Sequence, residues 1–250
     1  MISLKSALRN VFLKLGIDIR LHDSNYVRVK YKDTSLARRT LLLQNHNINL
    51  ILDVGANVGQ YACSLRRVGY KGRIVSFEPL SSAFTHLKSE SEQDALWQVV
   101  NIALGDQDGQ DTIRIASNLV SSSLLRMRAD KQFGIEFIGQ EEIVTQRLDS
   151  VFPQHYASGE QVFLKIDAQG YEMKILQGAQ NSLTHIAGVQ LEMSVAPLYE
   201  GENTLLEMLV YMQSSGYNLM SLEPGFSDQT TGQLLQVDGI FFRTPPITPL

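Results

Sequence analysis

Leu50-Ile51-Leu52-Asp53-Val54 is a short apolar run that ends in Gly55-Ala56-Asn57-Val58-Gly59 and leads into a stretch of helical spacing up to about Val68. A short apolar strand bounded by a turn reads as buried on both faces, and a strand feeding a helix calls for a parallel partner beyond it. The alternation continues. Strands are expected at 72–79, 96–104, 143–151, 162–167, 186–194, 217–223 and 239–243, with helices at 81–92, 171–183 and around 203–215. Residues 110–116 alternate like a hairpin partner across the Gly105–Gly109 turn cluster, and residues 117–142 carry no clear period. The pattern predicts βαβ units, a mainly parallel sheet with helices on both faces, and an antiparallel pair formed by the last two strands. Ligands in such sheets bind beyond the carboxyl ends of the strands, so the residues just after each strand are the candidates.

Composition narrows the class. The 250 residues are 44% hydrophobic and 19% charged, which excludes a disordered, collagen-like or coiled-coil chain. A single cysteine, Cys63, excludes a disulfide framework and fits a reducing, cytoplasmic location. Residues 1–50 hold nine Lys/Arg and three Asp/Glu, a balance of +6, whereas the remainder carries −10. An acidic body argues against nucleic acid as a partner. No apolar window is long enough for a transmembrane helix, and the N-terminus lacks the features of a secretory signal. Leu4, Leu8, Val11, Phe12 and Leu15 recur at helical spacing among basic residues. That predicts an amphipathic helix over 2–15, followed by an exposed strand at 25–32 and a helix at 35–46. Residues 1–49 are read as a cap on a domain of residues 50–250, with weak membrane-surface contact through the first helix as the sharper alternative.

Glu78 closes the second predicted strand, 23 residues after Gly55. A carboxylate about 20 residues beyond a glycine turn suits bidentate acceptance from a ribose diol. A dinucleotide site would need a second glycine where Ala56-Asn57 stand, to cradle a pyrophosphate. Asp53 suits a cationic ligand better. S-adenosylmethionine has no phosphate, carries a sulfonium and an ammonium, and keeps the ribose diol. Gly55 is expected to permit close approach of ligand to backbone, and Gly59 to permit tight helix–strand contact.

Asp53-Val54-Gly55-Ala56-Asn57-Val58-Gly59 followed by Phe77-Glu78-Pro79 resembles a class I methyltransferase, and specifically the FkbM family. Further support comes from Asn101–Asp106, Ser121–Leu124, Thr145–Asp149, Lys165–Glu172, Gly178-Ala179 and Leu191-Glu192. The resemblance covers about residues 50–243. It implies a Rossmann-like, mostly parallel seven-stranded sheet, S-adenosylmethionine as cofactor, and O-methylation of a hydroxyl on a sugar, glycolipid or secondary metabolite. The cofactor set is then Asp53, Gly55, Ala56, Asn57, Gly59, Tyr61, Glu78, Pro79, Ile102 and Ala103. Asp167 and Glu192 are the catalytic candidates, since each ends a strand on the same rim. Position 169 departs from the family pattern, with Gln where Glu is usual, and no role is read for it. No adjacent Asp-Asn ligand pair follows the fifth strand, so no metal is expected. The rival readings are an NAD(P)-dependent oxidoreductase or epimerase, and a non-catalytic scaffold that keeps the cofactor fold. Neither the acceptor nor the oligomeric state is legible.

Overall fold

The computed structural model describes residues 35–117, 122–128 and 136–243. The expected helix 2–15 and strand 25–32 lie outside the described residues. The elements run α1 (Ser35–Asn45), β1 (Leu50–Val54), α2 (Gln60–Arg67), β2 (Arg73–Phe77), α3 (Ser81–Ser91), β3 (Trp97–Val100), β4 (Ala103–Gly105), β5 (Gly109–Ala116) and β6 (Phe137–Arg147). They continue with α4 (Leu148–His155), β7 (Val162–Ile166), α5 (Glu172–Gln177), a 3-10 turn at Ser182–His185, β8 (Ile186–Ser194), α6 (Leu205–Ser214), β9 (Asn218–Pro224) and β10 (Gln236–Phe242).

Seven strands form the main sheet in the order β3-β2-β1-β7-β8-β10-β9. The first five are parallel, and β10 enters antiparallel to both β8 and β9. The strand order reverses between β1 and β7, which places the ligand crevice beyond their carboxyl ends. This is the Rossmann-like class I architecture.

Alternate residues of each strand serve opposite faces. Leu50, Leu52 and Val54 join Leu164, Ile166 and Leu191 in one apolar layer, which receives Ile175 of α5 and Met208 and Met212 of α6. Ile51, Ile74, Phe163 and Ile240 point the other way and pack on Leu43 of α1, Leu65 of α2 and Leu87 of α3. α6 begins with a capping box in which Thr204 and Glu207 satisfy each other's backbone N–H groups.

Four expectations need correction. The segment 96–104 is two strands, β3 in the main sheet and β4 in a separate three-stranded sheet of order β4-β6-β5. Asn101 breaks the run, because its Nδ2 donates to the carbonyls of Glu78 (2.8 Å) and Pro79 (2.9 Å) and pins the turn there. The alternating segment 110–116 pairs with β6 rather than with the third strand. The strand expected at 143–151 starts earlier and ends at Arg147, where α4 begins. The helix expected at 171–183 runs only from Glu172 to Gln177 and is capped by Gly178, where no side chain fits because an added Cβ would sit 1.9 Å from the carbonyl oxygen of Gly105.

Candidate active site

The Gly55 turn owes its residue type to a neighbouring strand end. Gly55 has φ +71°, and a Cβ there would fall 1.9 Å from the backbone oxygen of Asp167. The close contact is thus with chain, and it draws the loop after β7 against the loop after β1. Gly59 has φ +90° and rests on the Trp97 ring, 2.7 Å from where its Cβ would be. Its role is the tight packing that the sequence suggests.

A cavity of about 310 Å³ opens where these loops meet. Eight residues expected to bind cofactor line it: Gly55, Ala56, Asn57, Tyr61, Glu78, Pro79, Ile102 and Ala103. Asp167 lines it as well, with its side chain 38% exposed. Asp53, Gly59 and Glu192 are not among the lining residues.

Asp53 is fully buried. The Lys165 ammonium stands 3.1 Å from its Oδ1, and the Ser76 hydroxyl donates to Oδ2 at 3.2 Å. The negative charge expected to meet a cationic ligand is already met from within the fold. Lys165 also donates to the carbonyl of Gly55 (3.1 Å) and lies 3.7 Å from Asp167 Oδ2. Burial alone would lower its pKa, but the carboxylates of Asp53 and Asp167 raise it above the ordinary lysine value, so Lys165 is a fixed cation.

Lys165 belongs to a polar row that crosses the sheet on its α1–α2 side. Asp53 is in register with Ser76 on β2 and with Lys165 on β7, and Lys165 with Gln190 on β8. Trp97 Nε1 donates to Ser76 at 3.0 Å. The Tyr61 hydroxyl donates to Gln190 Oε1, and Gln190 Nε2 to Asp238 Oδ1, both at 3.2 Å. Asp238 faces Glu223 across β10 and β9, and Arg39 of α1 donates to Glu223 at 2.6 Å. Pairing each buried polar group with the next offsets the cost of removing it from water.

At one end of the cavity, Glu78 is 4% exposed and accepts the N–H groups of Asn57 (2.8 Å) and Leu80 (2.9 Å), one on each oxygen. Burial pushes its pKa up to about 7 against the opposing pull of those two donors. At the other end, Gln169 Nε2 donates to Asp167 Oδ1 at 3.0 Å and to Glu192 Oε2 at 2.9 Å. Burial and the carboxylates of Asp167 and Glu172 hold Glu192 well above the usual range. Glu172 is itself buried and raised to about 8, while accepting the N–H groups of Ala168 and Gly170. Among the described residues no cluster of three or more His, Cys, Asp or Glu could hold a metal ion.

Residues 53–219 match the methyltransferase FkbM domain. The chain belongs to the FkbM methyltransferase family. This sequence is 25% identical over 158 residues to hexuronic acid methyltransferase AglP of Haloferax volcanii, covering 62% of this chain. The chain spans 59% of that relative's length. Among solved structures, methyltransferase FkbM from Methylobacillus flagellatus KT superposes with a TM-score of 0.48 at 15% identity, covering 77% of this chain and 44% of that one. Magnesium protoporphyrin IX methyltransferase from Synechocystis PCC 6803, with bound S-adenosylmethionine, gives 0.47 at 9% identity over 98% and 99% of the two chains. S-adenosylmethionine is the cofactor of the FkbM family, as the DVGANVG and FEP motifs lead one to expect.

Lys165, Gln169, Gln190 and Asp238 also line the cavity and were missed as site residues. One signal was available. Lys165 is the one polar residue of β7, and the parallel register places it beside Gln190, which follows an apolar run in β8.

Proposed function

We propose that this chain transfers the methyl group of S-adenosylmethionine to a hydroxyl oxygen of a sugar or of a glycolipid or secondary metabolite that bears one. The observation that carries the reading is Asp167. Its carboxylate is part-exposed on the wall of the cavity that also holds the buried Glu78, so a base and a diol acceptor share one chamber.

The cofactor supplies an electrophilic methyl on a sulfonium. Glu78 accepts from the ribose hydroxyls, its two oxygens already oriented by the Asn57 and Leu80 amides. Leu80, Ile102, Ala103 and Ile113 give this end an apolar wall suited to a flat base. Asp167 would accept the proton of the acceptor hydroxyl as the new O–C bond forms and the methyl's S–C bond breaks, with S-adenosylhomocysteine as the leaving group, and would pass that proton to solvent at its exposed edge. Lys165 stays protonated 3.7 Å from the Asp167 carboxylate.

The hexuronic acid named for the Haloferax volcanii relative makes a uronic acid the first acceptor to test. Titration calorimetry with S-adenosylmethionine and with NAD⁺ comes first, and binding of the former alone is expected. Transfer of radiolabelled methyl to methyl glucuronide and to its neutral glucoside then follows. Transfer to the neutral glucoside, or alkali-stable label on the glucuronide, supports a sugar hydroxyl as acceptor, whereas alkali-labile label on the glucuronide marks its carboxylate. Labelling of neither, with the donor bound, defeats the sugar reading.

A further inference from the structure

Gln169 occupies an unusual backbone state, with φ +53° in the left-handed region that side chains other than glycine rarely adopt. Four hydrogen bonds converge on it. Its Nε2 reaches Asp167 and Glu192, its Oε1 accepts from the Tyr199 hydroxyl at 2.8 Å, and its carbonyl accepts from Ser123 Oγ at 2.7 Å. The Gln236 amide donates to the same Glu192 oxygen at 2.9 Å. In this orientation Oε1 accepts the Tyr199 hydroxyl while Nε2 faces two carboxyl groups, so both ends of the amide are satisfied. Ser123 belongs to the segment beside the cavity, and Tyr199 to the loop after β8. Gln169 is therefore the joint through which both segments reach Asp167.

We propose that Gln169 is a positioning residue of the methyl transfer: its side-chain amide, anchored by Tyr199, holds the Asp167 carboxylate in the orientation that receives the acceptor proton. The inference rests on the reading of Asp167 as base. An amide suits the place because its two N–H groups can serve two carboxyl groups at once, whereas a Glu there would add a third acid beside them. The charged or titratable groups around the joint are Lys165, Asp167, Glu172, Glu192, Tyr199, Glu202 and Asp238.

The test uses the full chain, with methyl glucuronide as acceptor and S-adenosylhomocysteine as the binding probe. Gln169→Met keeps the volume and removes the amide. Its kcat is expected to fall at least ~10-fold, with acceptor KM and S-adenosylhomocysteine affinity within ~3-fold of wild type. Gln169→Glu is expected to lose as much at pH 8 and to recover part of it at pH 6, where a protonated Glu donates again. Tyr199→Phe, which removes only the anchoring hydroxyl, is expected to give a smaller kcat loss of the same kind. A kcat within ~3-fold of wild type in both Gln169 variants overturns the proposal. A crystal structure of Gln169→Met with S-adenosylhomocysteine supplies a readout free of activity. The Asp167 carboxylate is expected to leave its place beside position 169, and an unmoved carboxylate overturns the proposal. A wild-type protein inactive on methyl glucuronide defeats that acceptor, and the crystal structure then decides the role of Gln169 alone.

Discussion

Asn57, Glu78 and Leu80, at one end of the cavity, come from the loops after β1 and β2, and Ala103 beside them opens β4 a few residues after β3. Asp167, Gln169, Gln190 and Asp238, at the other end, come from the loop after β7 and from β8 and β10, brought together by strand register across the sheet. The first end is held largely by backbone amides, as in the two N–H donors on Glu78. The second is held by side chains holding side chains. A site made from backbone survives many substitutions around it. A site made from a side-chain network depends on each member, because the loss of one leaves its buried partner unsatisfied.

The largest expected effect lies at the side-chain end. Asp167→Asn preserves size and removes the base. If Asp167 takes the acceptor proton, turnover falls ~10²–10⁴-fold while cofactor affinity changes little. Turnover within ~3-fold of wild type would leave Asp167 as an orienting group and break the contrast between a binding end and a reacting end.

Lys165→Met tests what holds that end together. It leaves Asp53, fully buried, without its counter-charge. Removing one partner of a buried pair costs about 3–5 kcal/mol. Urea unfolding is expected to show a loss of that size. A loss under about 1 kcal/mol would mean that Ser76 and the surrounding dipoles suffice for Asp53. The double variant with Asp53→Asn is expected to recover part of the stability, because the orphaned charge is gone.

These two ends also differ in how far they could be read from sequence. The Gly55–Gly59 turn and Glu78 are local signals, each next to a buried strand, so residues 53–61 and 77–79 announced themselves. A mainly parallel sheet followed from the alternating apolar runs, and its seven strands from the family resemblance. Asp53 deceived for a physical reason: sequence shows a carboxylate near the turn but not Lys165, 112 positions away, lying beside it in register. Gln169 was passed over because a single departure from a pattern carries no geometry. Its meaning lies in Tyr199 and Glu192, which only the fold brings near. The split of 96–104 was equally hidden, since it depends on Asn101 finding two carbonyls of the β2 loop.

Glu78→Ala sharpens the comparison from the binding end. Charge-assisted hydrogen bonds contribute roughly 1.5–3 kcal/mol each, so S-adenosylhomocysteine affinity is expected to fall at least ~10-fold. An unchanged dissociation constant in a folded variant would remove Glu78 from the ribose site.

The smallest expected effect is a pair of pH dependences of opposite sign, one in the stability of the free protein and one in its affinity for ligand. Glu78 has a pKa near 7 in the fold against an ordinary value of 4.5, so the native state binds its proton more tightly than the unfolded chain does. The free protein therefore loses stability as pH rises from about 4.5 to 7, with Glu172, raised to about 8, adding to the slope. Ribose hydroxyls donate to the ionised carboxylate, so ligand affinity changes the other way. Between pH 6 and 7.5 the ionised fraction of a group with a pKa of 7 rises roughly eightfold, which sets the expected gain in affinity for S-adenosylhomocysteine. Thermal melts with and without saturating ligand across this range are expected to show the free protein melting lower at higher pH while the ligand-induced shift widens. In Glu78→Gln the shift should no longer widen, while the slope from Glu172 remains. A shift that widens equally in Glu78→Gln would assign the titration to another group and leave the ribose end of the cavity without its pH-sensitive acceptor.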